Sequence, residues 1–509
     1  MEGTAPVPAP GPSLRAKVGR GLAWSTVNTV VGRIGQLVVG VALARLIAPE
    51  QFGVFAAALV VLTVVVSISE LGVSVAIVQA RDRAEVDHIA PVVTSVSILS
   101  GTALGALMAL TAPWLAAALG APAATGPIRL LAVSLVIAGL SAVPSACLQR
   151  EFRQDRKLAA DMASFAVSTA VALALATAGH GAWSLAWSRV AGSAVLAAGT
   201  FALASTRYRP RWDAAMARRL LRFGLPLAGA SIVSFAVMNV DYAVVGNMLG
   251  PERLGVYVLA FNLSGWPVSA FSATVRAVSL PAFSELRSDP LRHQASFGRA
   301  LGMLFVPVVP ACVLLGVLGG PLVRVVYGER WADAAGPLAL LAVVGASRVA
   351  LELAYDFLVS AGESDTALRL NLLWLASLVP ILYVAAEVGS ITGVAAGHIV
   401  ALVGVVLPAH LVALRRLGVQ PRSIAEPIAR PLLGGAVMGA VAWLVAAVLP
   451  GDVARVLGGG VAAVAVYAGV VGLPLWRQHR RGELLRVPAA APVPDAPAPP
   501  ATPLVEVGA

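Results

Sequence analysis

Apolar runs of roughly twenty or more residues recur along almost the whole chain, each bounded by charge, proline or glycine. Each is long enough to cross a bilayer as a helix, which needs about 20 apolar residues at 1.5 Å per residue. The pattern predicts about 14 transmembrane helices, over residues 20–46, 53–78, 91–118, 127–148, 158–178, 183–205, 223–248, 255–280, 298–322, 337–360, 367–387, 391–413, 430–449 and 454–475. No connecting loop is long enough to house a domain. The longest, 206–222, is a basic connector between the sixth and seventh spans. Residues 1–19 read as a disordered N-terminus, and 487–509, rich in proline and alanine, as a disordered tail.

Composition supports this reading. Of 509 residues, 58% are hydrophobic and 12% charged, about half the charge of a soluble protein. That excludes a soluble enzyme, a disordered protein and a coiled coil. The absence of strict alternation argues against a membrane barrel. The net charge of +11 does not point to nucleic acid, because the basic residues sit between apolar spans as topology signals. With the N-terminus inside, about 27 of the 37 basic residues face one side of the membrane. The expectation is a multi-pass plasma-membrane protein with both termini cytoplasmic. Trp24, Trp114, Trp183, Trp187, Trp212, Trp331 and Trp476 fall at span ends, where interfacial anchors are expected. Cys147 and Cys312 lie in apolar runs and read as reduced packing residues.

An internal repeat is the most informative feature. Pro49, Glu50, Gly53, Val54 and Phe55 match Pro251, Glu252, Gly255, Val256 and Tyr257 at one offset. Pro-Glu is good helix-start chemistry and accounts for either copy alone. It does not account for the same register between the first and second spans of two six-span blocks. An even number of spans separates the copies, so the halves are parallel and related by a pseudo-two-fold axis along the membrane normal. The expected division is an N-lobe at 20–205, the connector at 206–222, a C-lobe at 223–413, and two appended helices at 430–475.

The segment from Gly32-Arg33 to Val78-Gln79, centred on Ala-Arg-Leu-Ile-Ala-Pro-Glu-Gln-Phe-Gly, resembles the first helical hairpin of the polysaccharide transporter family. These are the Wzx-like oligosaccharide flippases of the MOP superfamily. Asn239-Val240-Asp241-Tyr242, Leu249-Gly250-Pro251-Glu252, Pro281-Ala282-Phe283-Ser284-Glu285-Leu286 and Gln149-Arg150-Glu151-Phe152-Arg153 are similar to it too. The resemblance implies two lobes around a central cavity, alternating access, and a polyprenyl-diphosphate-linked oligosaccharide as cargo among the membrane lipids. It leaves the glycan open, along with any need for a partner polymerase or glycosyltransferases.

Ionisable side chains inside a bilayer cost at least about 2.5–3.5 kcal/mol and therefore face a cavity or a partner. Arginine suits a diphosphate, since it stays charged and presents paired N–H donors. Arg33 and Arg276, from opposite lobes, are the leading substrate contacts, with Arg348 the third. Arg45 and Arg189, near the outer interface, read as anchors. Asp241, Glu352 and Asp356 are possible coupling sites. Arg348, Glu352 and Asp356 also fit an internally paired stripe at i, i+4 and i+8. Asp241 could instead pair with an arginine or accept hydrogen bonds from Asn239 and Asn247. Glu70 reads as a structural hydrogen-bonding group, and His398 and His410 as packed neutral histidines. Gly101 and Gly105 fit a close helix contact. No Walker-type segment or metal-ligand spacing occurs, so no cofactor is expected. No bond is made or broken. The alternatives are a cation-coupled drug or metabolite antiporter of the same superfamily and a membrane-embedded polysaccharide polymerase. The polymerase would need a large outer loop or soluble catalytic domain that the chain does not contain.

Overall fold

The computed structural model describes residues 35–69, 77, 82–151, 153–204, 206–285 and 289–474. Their regular structure is helical throughout, with no strand among the described residues. The helices are α1 (Gly35–Leu46), α2 (Pro49–Ser69), α3 (Arg83–Ala118), α4 (Thr125–Arg150), α5 (Gln154–Thr177) and α6 (Ala182–Leu203). Residues Ala214–Glu285 form two helices, α7 (214–249) and α8 (251–285), divided where Gly250 takes φ 84° and ψ 173°. An L side chain rarely tolerates that positive φ, and glycine does so at no steric cost. Then follow α9 (Pro290–Tyr327), α10 (Ala335–Ser360) and α11 (Ser364–Glu387), and α12 (Ile391–Arg416), α13 (Pro421–Val448) and α14 (Asp452–Gly472). These fourteen helices fall where the apolar runs predict them, and ten are long and apolar enough to cross a membrane.

Helix starts follow capping chemistry. Asp82 accepts the amide of Glu85 at 2.8 Å to begin α3. Asp289, followed by Pro290, accepts that of Arg292 at 3.2 Å to begin α9. Ser390 accepts that of Gly393 at 2.9 Å to begin α12. Each satisfies an amide that the first turn leaves unpaired. The basic stretch 214–222, expected to lie in the connector, is helical and extends α7. Asp213 starts it by accepting the amides of Ala215 and Met216 at 2.9 and 3.0 Å.

Within lipid, helices associate through close packing rather than by escaping water. Small residues accordingly sit at the contacts. A Cβ on Gly101 would lie 2.5 Å from the Leu135 carbonyl oxygen, one on Gly105 3.0 Å from that of Ala132, and one on Gly139 2.4 Å from that of Ser97. The Gly101–Gly105 pair thus brings α3 and α4 together as its spacing predicts. The largest buried cluster crosses both halves of the chain, joining Ala57, Leu62, Met108, Ile128 and Leu135 to Val245, Leu254, Tyr257, Trp331 and Leu378. Cys147 and Cys312 are both free and buried. Apolar residues such as Leu110 (77% exposed) and Val448 (84%) face outward, as lipid contact requires. Of the expected anchors, Trp114 and Trp212 are exposed. Trp331 is not: it is fully buried, carried inward by the 3-10 turn Glu329–Ala334.

Candidate functional site

The two copies of the Pro-Glu repeat begin α2 and α8, and those helices pack against each other. At the crossing the glycines meet reciprocally. A Cβ on Gly53 would stand 1.7 Å from the Pro251 carbonyl oxygen, and one on Gly255 2.0 Å from that of Pro49. The pseudo-two-fold inferred from sequence therefore passes between Gly53 and Gly255, where no side chain fits. Further contacts tie the same end of the bundle across the halves. Arg45 donates from Nε to the Val326 carbonyl at 2.8 Å and from Nη2 to that of Val325 at 2.6 Å. Those carbonyls end α9, where a helix favours a cation. Arg330 donates to the Arg45 carbonyl. The Trp331 indole donates to the Ala44 carbonyl at 2.8 Å and meets Phe52 edge-on with ring centroids 5.6 Å apart. Asn247 donates to the Ala118 carbonyl at 3.0 Å. This is the seal end. The opposite end carries Arg150, Arg153, Arg156 and Lys157 and the Arg207–Arg222 segment, and is the basic end.

Below the seal, α1, α5 and α6 of the first half enclose a cleft of about 740 Å³, within the range of small-molecule sites. Its polar lining includes Gln36, Asp161, Ser164, Ser168, Ser188 and Arg189. Ser164 donates to the Gly192 carbonyl at 2.7 Å, and Ser168 to that of Phe165 at 3.0 Å. With their protons engaged, these hydroxyls offer lone pairs and so act as acceptors toward a donor in the cleft. Arg189, expected to be an interfacial anchor, lines this cleft, as does Phe55 of the repeat.

The second half is filled at the matching place. In the register set by Pro49 and Pro251, Val39 corresponds to Asp241 and Phe55 to Tyr257. Asp241, 1% exposed, accepts the Tyr257 hydroxyl on Oδ2 at 2.9 Å and the Tyr242 amide on Oδ1 at 3.0 Å. His398 Nε2 lies 3.4 Å from the same Oδ2, off the direction of a formed hydrogen bond. Tyr242 and Phe261 meet edge-on with centroids 5.4 Å apart. The Arg348 guanidinium carbon lies 5.5 Å from the Phe261 centroid, within cation–π range.

The structure thus gathers Asp241 and Arg348 around one aromatic cluster and adds Tyr257 and His398, neither of which the sequence pattern singled out as functional. Asn239 and Asn247 do not serve Asp241. The first donates to the Phe235 carbonyl at 3.0 Å and the second spans the halves. Glu352 is half-buried one turn along α10 from Arg348. Asp356 is 2% exposed a further turn toward the basic end, beside Phe357, whose ring stacks on His293 at 4.3 Å. His410 is packed as expected, its Nδ1 2.8 Å from the Val406 carbonyl. Arg33 and Glu70 lie outside the described residues, as does the Arg276 side chain. Among the described residues no group of three or more acidic, histidine or cysteine side chains could hold a metal ion.

A family model described as "Polysaccharide biosynthesis protein" matches residues 42–336. Succinoglycan biosynthesis transport protein ExoT of Rhizobium meliloti is 30% identical over 339 residues, 65% of this chain and 67% of that relative. Lipopolysaccharide biosynthesis protein WzxC of Escherichia coli is 26% identical over 400 residues, 76% of this chain and 79% of its own length. Among solved structures, the fold is shared with the lipid II flippase MurJ in an inward closed conformation, at a TM-score of 0.76 and 16% identity, over 91% of this chain and 100% of that one. It is shared less closely with an inward-facing multidrug resistance MATE transporter of the MOP superfamily, at 0.59 and 17%, over 79% and 99%.

Proposed function

The chain belongs to the polysaccharide biosynthesis protein family, and we propose that it is a flippase moving an undecaprenyl-diphosphate-linked oligosaccharide across the plasma membrane by alternating access. The carrying observation is the polar cleft with Arg189 in its wall, held within a bundle whose two halves are tied at one end by the repeat crossing and its hydrogen bonds. At the other end the first turns of α7 pack on the first half through Met216, Ala217 and Leu220. In this reading the basic end is cytoplasmic, as the distribution of arginine favours, and both termini lie there. The halves form an N-lobe and a C-lobe that rock about the crossing.

A diphosphate carries its negative charge through hydrocarbon only if compensated, and guanidinium groups supply that compensation bidentately. Arg189 contributes from the N-lobe, with Arg33, Arg276 and Arg348 completing the set. The acceptor-rich serine faces receive sugar hydroxyls while the polyprenyl tail stays in lipid. Glycosyltransferases supply the substrate at the cytoplasmic face, and a polymerase consumes it at the other.

The test is complementation of a deletion strain. Arg189→Ala, Arg33→Ala and Arg276→Ala should each remove most surface polysaccharide while the membrane level of the protein is unchanged on immunoblot. Full export by all three variants would overturn the assignment.

A further inference from the structure

The connector between the halves carries a charge pattern that the cargo chemistry does not use. Residues 206–222 hold six arginines, Arg207, Arg209, Arg211, Arg218, Arg219 and Arg222, against one acid, Asp213. That acid is engaged as the cap of α7. All six arginines are exposed, and among the described residues none of them forms an ion pair. Like charges crowded in this way repel one another and favour an anion beside them.

The rest of the segment fixes which way they point. Before α7 the chain is strapped along the start of α3. The Arg211 amide donates to the Pro91 carbonyl at 3.1 Å, and the Ser95 hydroxyl donates to the Arg211 carbonyl at 2.8 Å. The Tyr208 hydroxyl donates to Asp87 at 2.5 Å, so Tyr208 is held inward while Arg207 and Arg209 on either side of it face out. In the first turns of α7, Met216, Ala217 and Leu220 join the buried cluster of Val86, Ala90 and Val93. Arg218, Arg219 and Arg222 are left on the outer side. Between the two groups of arginines stands Trp212, 57% exposed, the kind of ring that settles at a membrane interface.

Two long helices set the depth. Pro91 lies 27 residues before Ala118 at the seal end of α3, and Arg222 lies 27 residues before Leu249 at the seal end of α7. At 1.5 Å per residue each stretch is about 40 Å long, the thickness of a bilayer with its head groups. Both helices therefore bring the segment to one level, that of the lipid phosphates on the basic side. A topology signal needs only charge on the correct side. It needs neither a strap with its backbone fixed nor arginines turned outward at one depth.

Charge, depth and the exposed indole fit one partner. We infer that residues 207–222 bind the head groups of anionic phospholipids in the adjoining leaflet, and that this binding holds the first turns of α7 on the first half. Because α7 continues into the second half, lipid composition then sets how firmly the halves are joined at the basic end. The inference goes beyond the cargo, since it concerns the lipids of the bilayer and stands whatever is carried.

The experiment uses the full chain with Cys147→Ala and Cys312→Ala, a neutral fluorophore at the exposed Ala215→Cys, and phosphatidylcholine bilayers. Quenching is compared for phosphatidylglycerol and phosphatidylcholine bearing a nitroxide near the carbonyl end of one acyl chain. Phosphatidylglycerol should be enriched at the label by about fivefold, the gain of one arginine at an anionic surface. Replacing all six arginines by glutamine should make the two lipids quench equally. Should that variant fail to insert, Arg218→Gln, Arg219→Gln and Arg222→Gln together should lower the ratio. Arg369→Gln, Arg415→Gln and Arg416→Gln together remove equal charge at the same end and should leave it unchanged. Amide hydrogen exchange over Met216–Leu220 should slow when phosphatidylglycerol replaces half the phosphatidylcholine, and only in chains that keep the six arginines. Equal quenching in the parent chain, a ratio retained in the six-glutamine variant, or exchange indifferent to phosphatidylglycerol would overturn the inference. Inorganic phosphate that lowers the ratio more than sodium chloride at equal ionic strength would assign the segment to free phosphate and overturn it as well.

Discussion

Gly53→Ala is the smallest change that tests whether the repeat crossing holds one end closed. The new Cβ would sit 1.7 Å from the Pro251 oxygen, 2.7 Å from its carbon and 2.9 Å from the Gly255 nitrogen. All three are backbone atoms, so no rotamer change relieves the clash. Ordinary contact begins near 3.4 Å, so the halves must part by roughly 1.5 Å, and overpacking of this kind costs about 1–3 kcal/mol. The cost falls only on the closed arrangement, because the contacted backbone belongs to the other half. It therefore shifts the closed-to-open ratio by about 5–150-fold. The hydrogen bonds of Trp331 and Arg45 across the same gap, at 2.6–2.8 Å, lengthen together with it. The assay is labelling of Ala44→Cys, a site fully buried in the seal, by a membrane-impermeant maleimide in a chain lacking Cys147 and Cys312. Gly53→Ala should raise the labelling rate by that factor. Gly460→Ala makes the same chemical change where nothing lies within 4 Å and should leave the rate alone. Equal rates in the two variants would refute the reasoning.

Trp331→Phe keeps an aromatic ring against Phe52 but removes the donor to the Ala44 carbonyl. A lost neutral hydrogen bond is worth about 0.5–1.5 kcal/mol, so labelling of the same cysteine should rise only a few-fold, and an unchanged rate would show that the indole does not help close the seal. On the connector at the basic end, burial and a 2.5 Å hydrogen bond to Asp87 hold the Tyr208 phenol above its ordinary value of 10. The folded contact favours the neutral phenol, so its contribution is intact below pH 10 and is lost as pH climbs through the raised value. Melting curves from pH 9 to 11 should fall more steeply for the parent chain than for Tyr208→Phe, and parallel curves would disprove that contact.

The spans were legible because lipid imposes one requirement on every residue of a run, so hydropathy alone places fourteen helices. Pro49-Glu50 and Pro251-Glu252 were legible as a repeat because the same residues recur in one register. What they do was not, since only the folded chain brings Gly53 onto Gly255. Trp331 misled because a tryptophan between span and loop reads as an interfacial anchor, whereas the turn at Glu329–Ala334 carries it between the halves. His398 stayed hidden in an apolar run. Its meaning depends on which face of α12 meets Asp241, and spacing within one helix does not specify that. Arg189 sits seven residues into α6 from the seal end, close enough to the boundary to read as an anchor, yet serines on α5 and α6 open a cleft there. One signal was available and passed over: Tyr257 carries the hydroxyl that its repeat partner Phe55 lacks, and Asp241 stands where the first copy has Val39.

That asymmetry explains how a duplicated architecture can divide its labour. On a two-fold axis each residue faces its own counterpart, so any side chain placed there meets the equivalent side chain or backbone of the other half. Glycine alone avoids that clash, which is why both copies need it at the same position. Away from the axis the constraint lifts, and the halves are free to differ. Val39 and Phe55 leave the first half with apolar walls beside an open polar cleft. Asp241 and Tyr257 instead bind each other and fill the second. A buried carboxylate held by a tyrosine beside a histidine thus stands in one half, and an open cleft walled by an arginine, an aspartate and serines in the other. Because Phe55 and Tyr257 each stand two residues beyond the paired glycines, both sites adjoin one crossing, where backbone meets backbone with no room for a side chain.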